Sequence, residues 1–258
     1  MSRFHSSTSI ARPVLLCAAL GGVCLAMWRH HSVSSPSTGK RISSPSPHSA
    51  LAPSSSPSAV FPATSRPSAA LPARLAPRSA VAAKILAAAK AQSGTVYDAS
   101  YQTIPYPGGD VRSDRGACTD VVTRALRKAG YDLQQLIHND MKQQWRAYPH
   151  QWGLKGTDTN IDHRRVPNQK VYFQRHGQAL PLDTKGAHLQ TWQPGDIVQW
   201  NLRSDGGKLP HTGIISDTRN AKGEPFAIHN LSVCAEEDVL NAWTITGHFR
   251  FPVGTPSS

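Results

Sequence analysis

Several things are scarce in this 258-residue chain, and each scarcity excludes a class of function. There are four cysteines, two of them (Cys17 and Cys24) close to the N-terminus, so the remainder carries only Cys118 and Cys234. No paired-cysteine or HExxH spacing is present, so no metal centre is expected. Nucleotide, flavin and phosphate-binding motifs are also missing, and no cofactor is implied. Acidic residues are absent from the first 79 positions, which hold eight Lys or Arg; all sixteen Asp and Glu lie between Asp98 and Asp238. The net charge of +12 therefore divides into +8 at the N-terminus and +4 (20 basic minus 16 acidic) in the rest. A nucleic-acid groove needs its basic excess on the folded part, and no zinc-finger or RNA-recognition motif accompanies it, so no nucleic-acid partner is expected. The one extended apolar stretch, Val14 to Trp28, is shorter than the roughly 20 residues a spanning helix needs.

That stretch follows Arg3 and Arg12 and has the layout of a secretory signal. No small-x-small cleavage site comes after it; Arg29, His30 and His31 are next. Residues 1–31 therefore read as an uncleaved signal anchor, with a cleaved signal as the alternative. Both export the remainder of the chain to the periplasm or cell envelope, and the first also attaches it to the membrane. Residues 32–79 are rich in Ser, Pro and Ala with almost no large apolar side chains, a composition that cannot offset its ordering entropy and reads as a disordered linker. Residues 80–252 are expected to form one globular domain, a monomer, with 253–258 as a disordered tail.

Inside the domain, helical periodicity comes first: Ala80–Gln92, Cys118–Ala129, Leu133–Arg146 and Gln169–His176. Strand-like runs come later, at Asp196–Asn201, His211–Ser216, Pro225–Asn230 and Ile245–Phe251. This order predicts an α+β fold with a mainly antiparallel sheet and a helical insert, Tyr131 to Leu189, between the second helix and the first clear strand.

Cys118 opens a helix whose apolar positions are Val121, Val122, Ala125, Leu126 and Ala129. Unpaired N–H groups and the positive end of the helix dipole favour a thiolate at such a start, and the thiolate is the nucleophilic form. By itself a cysteine on an apolar helix is more often a small core residue. Downstream, His211 begins the run His-Thr-Gly-Ile-Ile and His229 closes Pro-Phe-Ala-Ile-His. Each histidine alone would more often be structural; a helix-start thiol followed by two strand histidines is the order of a cysteine hydrolase.

The ordered set Tyr106-Pro107-Gly108-Gly109, Cys118, Pro194-Gly195-Asp196-Ile197-Val198, His211-Thr212-Gly213-Ile214 and Ile228-His229 resembles the NlpC/P60 cysteine peptidases of bacterial cell walls, part of the papain-like superfamily. Gly116-Ala117-Cys118-Thr119-Asp120, the run Asp158 to Asn168, and Leu209-Pro210-His211 resemble the DUF1287-type bacterial envelope family. The resemblance implies a papain-like fold, a peptidoglycan or peptide substrate, Cys118 as nucleophile, His211 as general base and acid, and His229 as the residue orienting His211. Asn230 is the competing orienter; strand alternation allows only one of the two to face His211. Tyr106 falls where the peptidases keep a tyrosine near the developing oxyanion, with a turn or core role as the alternative. Where those peptidases read Asp-Cys-Ser-Gly, this chain has Ala-Cys-Thr-Asp.

The run from Asp158 to Asn168 contains Asp162, His163, Arg164 and Arg165, which read as cleft residues whose arginines hold a substrate carboxylate. The alternative is a buried polar network tying the insert to the core; a metal site from Asp162, His163 and His176 has no supporting spacing. The functional reading is an exported thiol hydrolase cleaving an amide bond in peptidoglycan peptides. Its rivals are a catalytically silent envelope-binding domain, an acyltransferase using the same Cys-His pair, and a structural protein in which Cys118 and Cys234 form a disulfide.

Overall fold

The computed structural model describes residues 73–253; the proposed signal, residues 32–72 of the proposed linker, and residues 254–258 lie outside the described residues. The first helix, α1 (Ala80–Lys90), starts where Ser79 accepts a hydrogen bond from the Ala82 amide, and it buries Ala82, Ile85, Leu86 and Ala89. Two short parallel strands, β1 (Val96–Tyr97) and β2 (Arg115–Gly116), lead into α2 (Cys118–Lys128). The insert contributes α3 (Leu133–Gln143) and α4 (Val166–His176). Helix α4 starts three residues earlier than its periodicity predicts, because Pro167 sits in its first turn, where a missing N–H costs nothing.

A six-stranded antiparallel sheet closes the chain, so the fold is α+β with helices first. Its strands are β3 (Gln178–Ala179), β4 (Ile197–Asn201), β5 (Pro210–Arg219), β6 (Pro225–Asn230), β7 (Cys234–Glu237) and β8 (Thr244–Arg250), in the spatial order β3-β8-β4-β5-β6-β7. The short β7 has no alternating pattern and escapes a periodicity reading; it exists because Asn230 and Cys234 pair across a tight turn. Residues 73–79, which read as linker, also belong to the fold: Arg74 bridges Thr218, and Arg219 and Leu75 exchange backbone hydrogen bonds with Ala73 and Asp217. Among the described residues no helix is long and apolar enough to cross a membrane.

Strand alternation divides the sheet into two faces. Ile197, Ile214, Ile228 and Phe249 point to the helices and pack with Val121, Val122, Leu126, Leu133, Ile137 and Phe173. Val198, Trp200, Ile215 and Ala227 point the other way, onto Trp192 and Leu240. The Pro194-Gly195-Asp196 turn is structural: the Asp196 carboxylate takes Arg250 in two-pronged fashion at 2.9 and 2.8 Å and His248 Nε2 at 3.1 Å, while the Trp192 ring stacks on His248 at 3.6 Å.

One buried ion pair joins the helix layer to the loops around Cys118. Arg164 reaches both Asp120 carboxylate oxygens through Nε at 3.0 and 3.2 Å and one of them again through Nη2 at 2.9 Å. It also donates to the carbonyls of Ser100 and Asp98 at 2.7 and 3.1 Å. Asp120 in turn accepts from the Ala117 amide at 2.7 Å, which closes the start of α2. Gly116 permits this approach, since a Cβ there would lie 3.0 Å from Asp120 Cβ and 3.1 Å from its carboxylate. Both side chains are almost wholly buried, at 2% and 4% exposure. Removing one partner from such a pair strands a buried charge. Arg164→Met should therefore lower unfolding stability by about 3–5 kcal/mol, with part of the loss restored when Asp120→Asn is added. Urea denaturation checks this; a loss of only about 1 kcal/mol or less, as for exposed pairs, would show that the pair does not hold the loops.

Candidate active site

Cys118 is the first residue of α2 and is buried. The backbone amide of Thr212, on β5 one residue beyond His211, and the amides of Thr119 and Cys118 itself act on its thiol. These three N–H groups favour a thiolate, as a helix start should. Burial opposes them and dominates, and the nearby Asp120 carboxylate adds to it, so the thiol is pushed up to about 12. The helix start alone therefore does not yield a thiolate in the resting protein. Cys118 and Cys234 are both free, buried thiols, so the disulfide reading is not the state seen here.

The two histidines meet. His211 Nε2 lies 2.9 Å from His229 Nδ1, with the rings nearly perpendicular. Register explains the contact. Gly213 pairs directly with His229 on the neighbouring strand, and His211 is two residues along on the same face, so the histidines are diagonal neighbours. Gly213 keeps that space open: a Cβ there would lie 2.8 Å from the Ile228 carbonyl oxygen and 3.0 Å from His229 Cβ. Trp200 and Trp243 enclose both rings at 5.8–6.0 Å between centroids. Burial, followed by the neighbouring His229, lowers His211 to about 3, so it rests as a neutral imidazole. Burial lowers His229 as well, and Glu237 partly offsets the effect.

Glu237 was not legible as a site residue. It stands on β7, diagonal to His229 across the pair His229–Ala235, and its Oε2 lies 2.9 Å from His229 Nε2. That separation is close enough for an ion pair, although the ring N–H is not aligned on the oxygen as a hydrogen bond requires. No sequence signal marks it, because Cys-Ala-Glu-Glu reads as a solvent-facing segment.

The other candidate residues have partners of their own. Asn230 does not face His211: its amide donates to the carbonyls of Thr95 and Gly116 at 3.1 and 2.9 Å, on the helix side of the sheet. Tyr106 finds its partners on α3, with its ring edge-on to His138 and its hydroxyl 3.5 Å from Asn139 Oδ1. The tyrosine that feels Cys118 is Tyr97, raised to about 12 by burial first and then by Cys118 and Asp120. Arg164 is consumed by Asp120 and two carbonyls and cannot clamp a substrate carboxylate. Asp162 and His163 are likewise interior. Asp162, raised to about 6 by burial, accepts from the Asp158 amide, while the His163 carbonyl accepts from Gln169. Burial also lowers the His163 ring to about 4. Arg165 pairs with Asp162 at 3.3 Å and lies over the Trp152 ring at 4.1 Å. The run is the polar network that seats the insert. No group of three or more His, Cys, Asp or Glu among the described residues is arranged to hold a metal.

The thiol's electrostatics have a measurable consequence. Only thiolate is alkylated, and a thiol that ionises near pH 12 holds very little of it at pH 8. Iodoacetamide should therefore label Cys118 in the folded protein about a hundredfold or more slowly than a free cysteine at pH 8, with the rate still climbing above pH 10. Rapid labelling at pH 6 would instead show that Cys118 and His211 rest as an ion pair.

Comparison with known proteins sets this geometry in a family. A model for a domain of unknown function, DUF1287, matches residues 85–251. The uncharacterized protein YijF of Escherichia coli (strain K12) is 46% identical over 170 residues, covering 65% of this chain and 80% of that protein. Two solved structures of an N-acetylmuramoyl-L-alanine amidase from Bacteroides uniformis overlap loosely. One has a TM-score of 0.42 at 11% identity, covering 66% of this chain and 98% of that one; the other has 0.41 at 14%, covering 67% and 99%. By the domain match and the identity to YijF, this chain belongs to the DUF1287 family.

Proposed function

We propose that this protein is a cysteine hydrolase of the cell envelope that cleaves an amide bond in peptidoglycan peptides. The observation that carries the reading is the 2.9 Å contact of His211 Nε2 with His229 Nδ1, on the strand whose next residue, Thr212, has a backbone N–H that favours the ionised Cys118 thiol. With Nε2 engaged by His229, Nδ1 is the nitrogen of His211 left for the thiol. The similarity of the surrounding motifs to NlpC/P60 peptidases, and the signal-like N-terminus, support the substrate class and the location.

The chemistry follows from these groups. Because thiol and imidazole rest neutral, the proton moves as the sulfur attacks. Cys118 Sγ bonds to the substrate carbonyl carbon while its proton passes to His211 Nδ1. The backbone N–H groups at the start of α2 are the donors available to the developing oxyanion. The C–N bond then breaks, His211 returns the proton to the departing amine, and a thioester remains on Cys118. Water, deprotonated by His211, releases the acid and restores the thiol.

Burial of the thiol favours one second reading, a catalytically silent binding domain. Incubating the full-length protein with peptidoglycan fragments and weighing the products by mass spectrometry separates the two. Cleavage is expected, with its loss in Cys118→Ala at unchanged thermal stability; equal turnover in that variant would remove the thiol mechanism. His229→Ala should slow turnover about tenfold or more, because the base loses its orienting partner. Asn230→Ala should act mainly on stability, by removing one of the two donors that each of the Thr95 and Gly116 carbonyls has.

A further inference from the structure

His229 has two ring nitrogens and two different neighbours, and its tautomer decides what His211 can do. Nδ1 faces His211 Nε2 at 2.9 Å and Nε2 faces Glu237 Oε2 at 2.9 Å. The pair is enclosed by Trp200 and Trp243, and His211 and His229 are 3% and 1% exposed. Glu237 is different: its side chain is half exposed, at 51%, and so can rotate. A carboxylate is an acceptor only, so it favours a proton on the nitrogen it faces.

We propose that Glu237 is a positioning residue that sets the tautomers of both histidines. A small rotation of its exposed side chain aligns Oε2 with the His229 Nε2–H. Holding the proton there leaves His229 Nδ1 as a lone pair. That lone pair requires His211 to present Nε2–H, and the His211 Nδ1 lone pair is then directed away from His229 as the free base. Without Glu237, His229 can carry its proton on Nδ1 and donate it to His211 Nε2. His211 then carries its proton on Nδ1 and has no lone pair for the thiol. Every species stays neutral, and only the positions of two protons change. The tautomer assignment stands on the geometry alone, whereas its effect on turnover rests on the thiol-hydrolase reading.

Nitrogen-15 NMR of histidine-labelled full-length protein reads the tautomers directly, with His211→Gln and His229→Gln used to assign the two rings. Wild type should show both rings protonated on Nε2. Glu237→Ala should move a substantial fraction of both to the Nδ1–H form, while Glu237→Gln, whose amide oxygen can still accept, should restore the wild-type pattern. In the turnover assay, Glu237→Ala should lower kcat about tenfold or more with KM little changed, and Glu237→Gln should recover most of it. A wild-type His229 protonated on Nδ1, or a Glu237→Ala spectrum identical to wild type, would overturn the proposal. Absence of turnover in wild type with the expected tautomers would instead count against the hydrolase reading and leave the role of Glu237 in place.

Discussion

The buried ion pair of Asp120 with Arg164 is the joint on which the site depends. Asp120 closes the first turn of α2 by holding the Ala117 amide, and this sets where the Cys118 sulfur sits. Arg164 comes from the insert and reaches past Asp120 to the carbonyls of Ser100 and Asp98, pinning the loop after β1 against the same helix start. Two charges taken out of water are costly, and only their mutual geometry and the extra carbonyl acceptors offset the cost. The pair therefore tolerates little displacement, and so does the cysteine beside it. Its drawback is electrostatic: a fixed carboxylate near the thiol works against ionisation, together with burial.

The sheet supplies the other half of the constraint. The two histidines project from the face turned away from the main helix layer, into a box of tryptophans, whereas Asn230 projects from the opposite face. The alternation that brings His211, His229 and Glu237 into one line also commits Asn230 to tying β6 to Thr95 and Gly116. Gly213 leaves room for the histidines to meet. Thr212, between His211 and Gly213, acts on the cysteine through its backbone N–H, so the strand that carries His211 also serves the nucleophile.

The polar residues of the insert illustrate how the same composition can serve either chemistry or architecture. Asp162, His163, Arg164 and Arg165 have the side chains expected of a substrate clamp. Most of their capacity is directed inward, to Asp120, to backbone groups and to one another, because the insert must be seated on α2 without unsatisfied charge. Its role is to support the site from behind.

Much of this was legible from the order of residues alone. Apolar spacing marks the principal helices and the longer strands, because burying one face imposes a period of 3.6 or 2 on the chain. The helix-start cysteine and the two strand histidines stand out for the same reason, and alternation shows that His229 and Asn230 must face opposite ways. Distances between elements remote in sequence were not legible. Tyr97 rather than Tyr106 beside Cys118, the inward turn of Arg164, and the presence of β7 with Glu237 at its end depend on pairings between segments tens of residues apart. Protonation was beyond local reading too. A helix dipole favours a thiolate, but the desolvation that overrides it comes from side chains gathered from across the chain. Element order and the residue types able to do chemistry can be read along the chain; which of them meet follows from folding, because contact and burial are properties of the packed chain rather than of any segment in it.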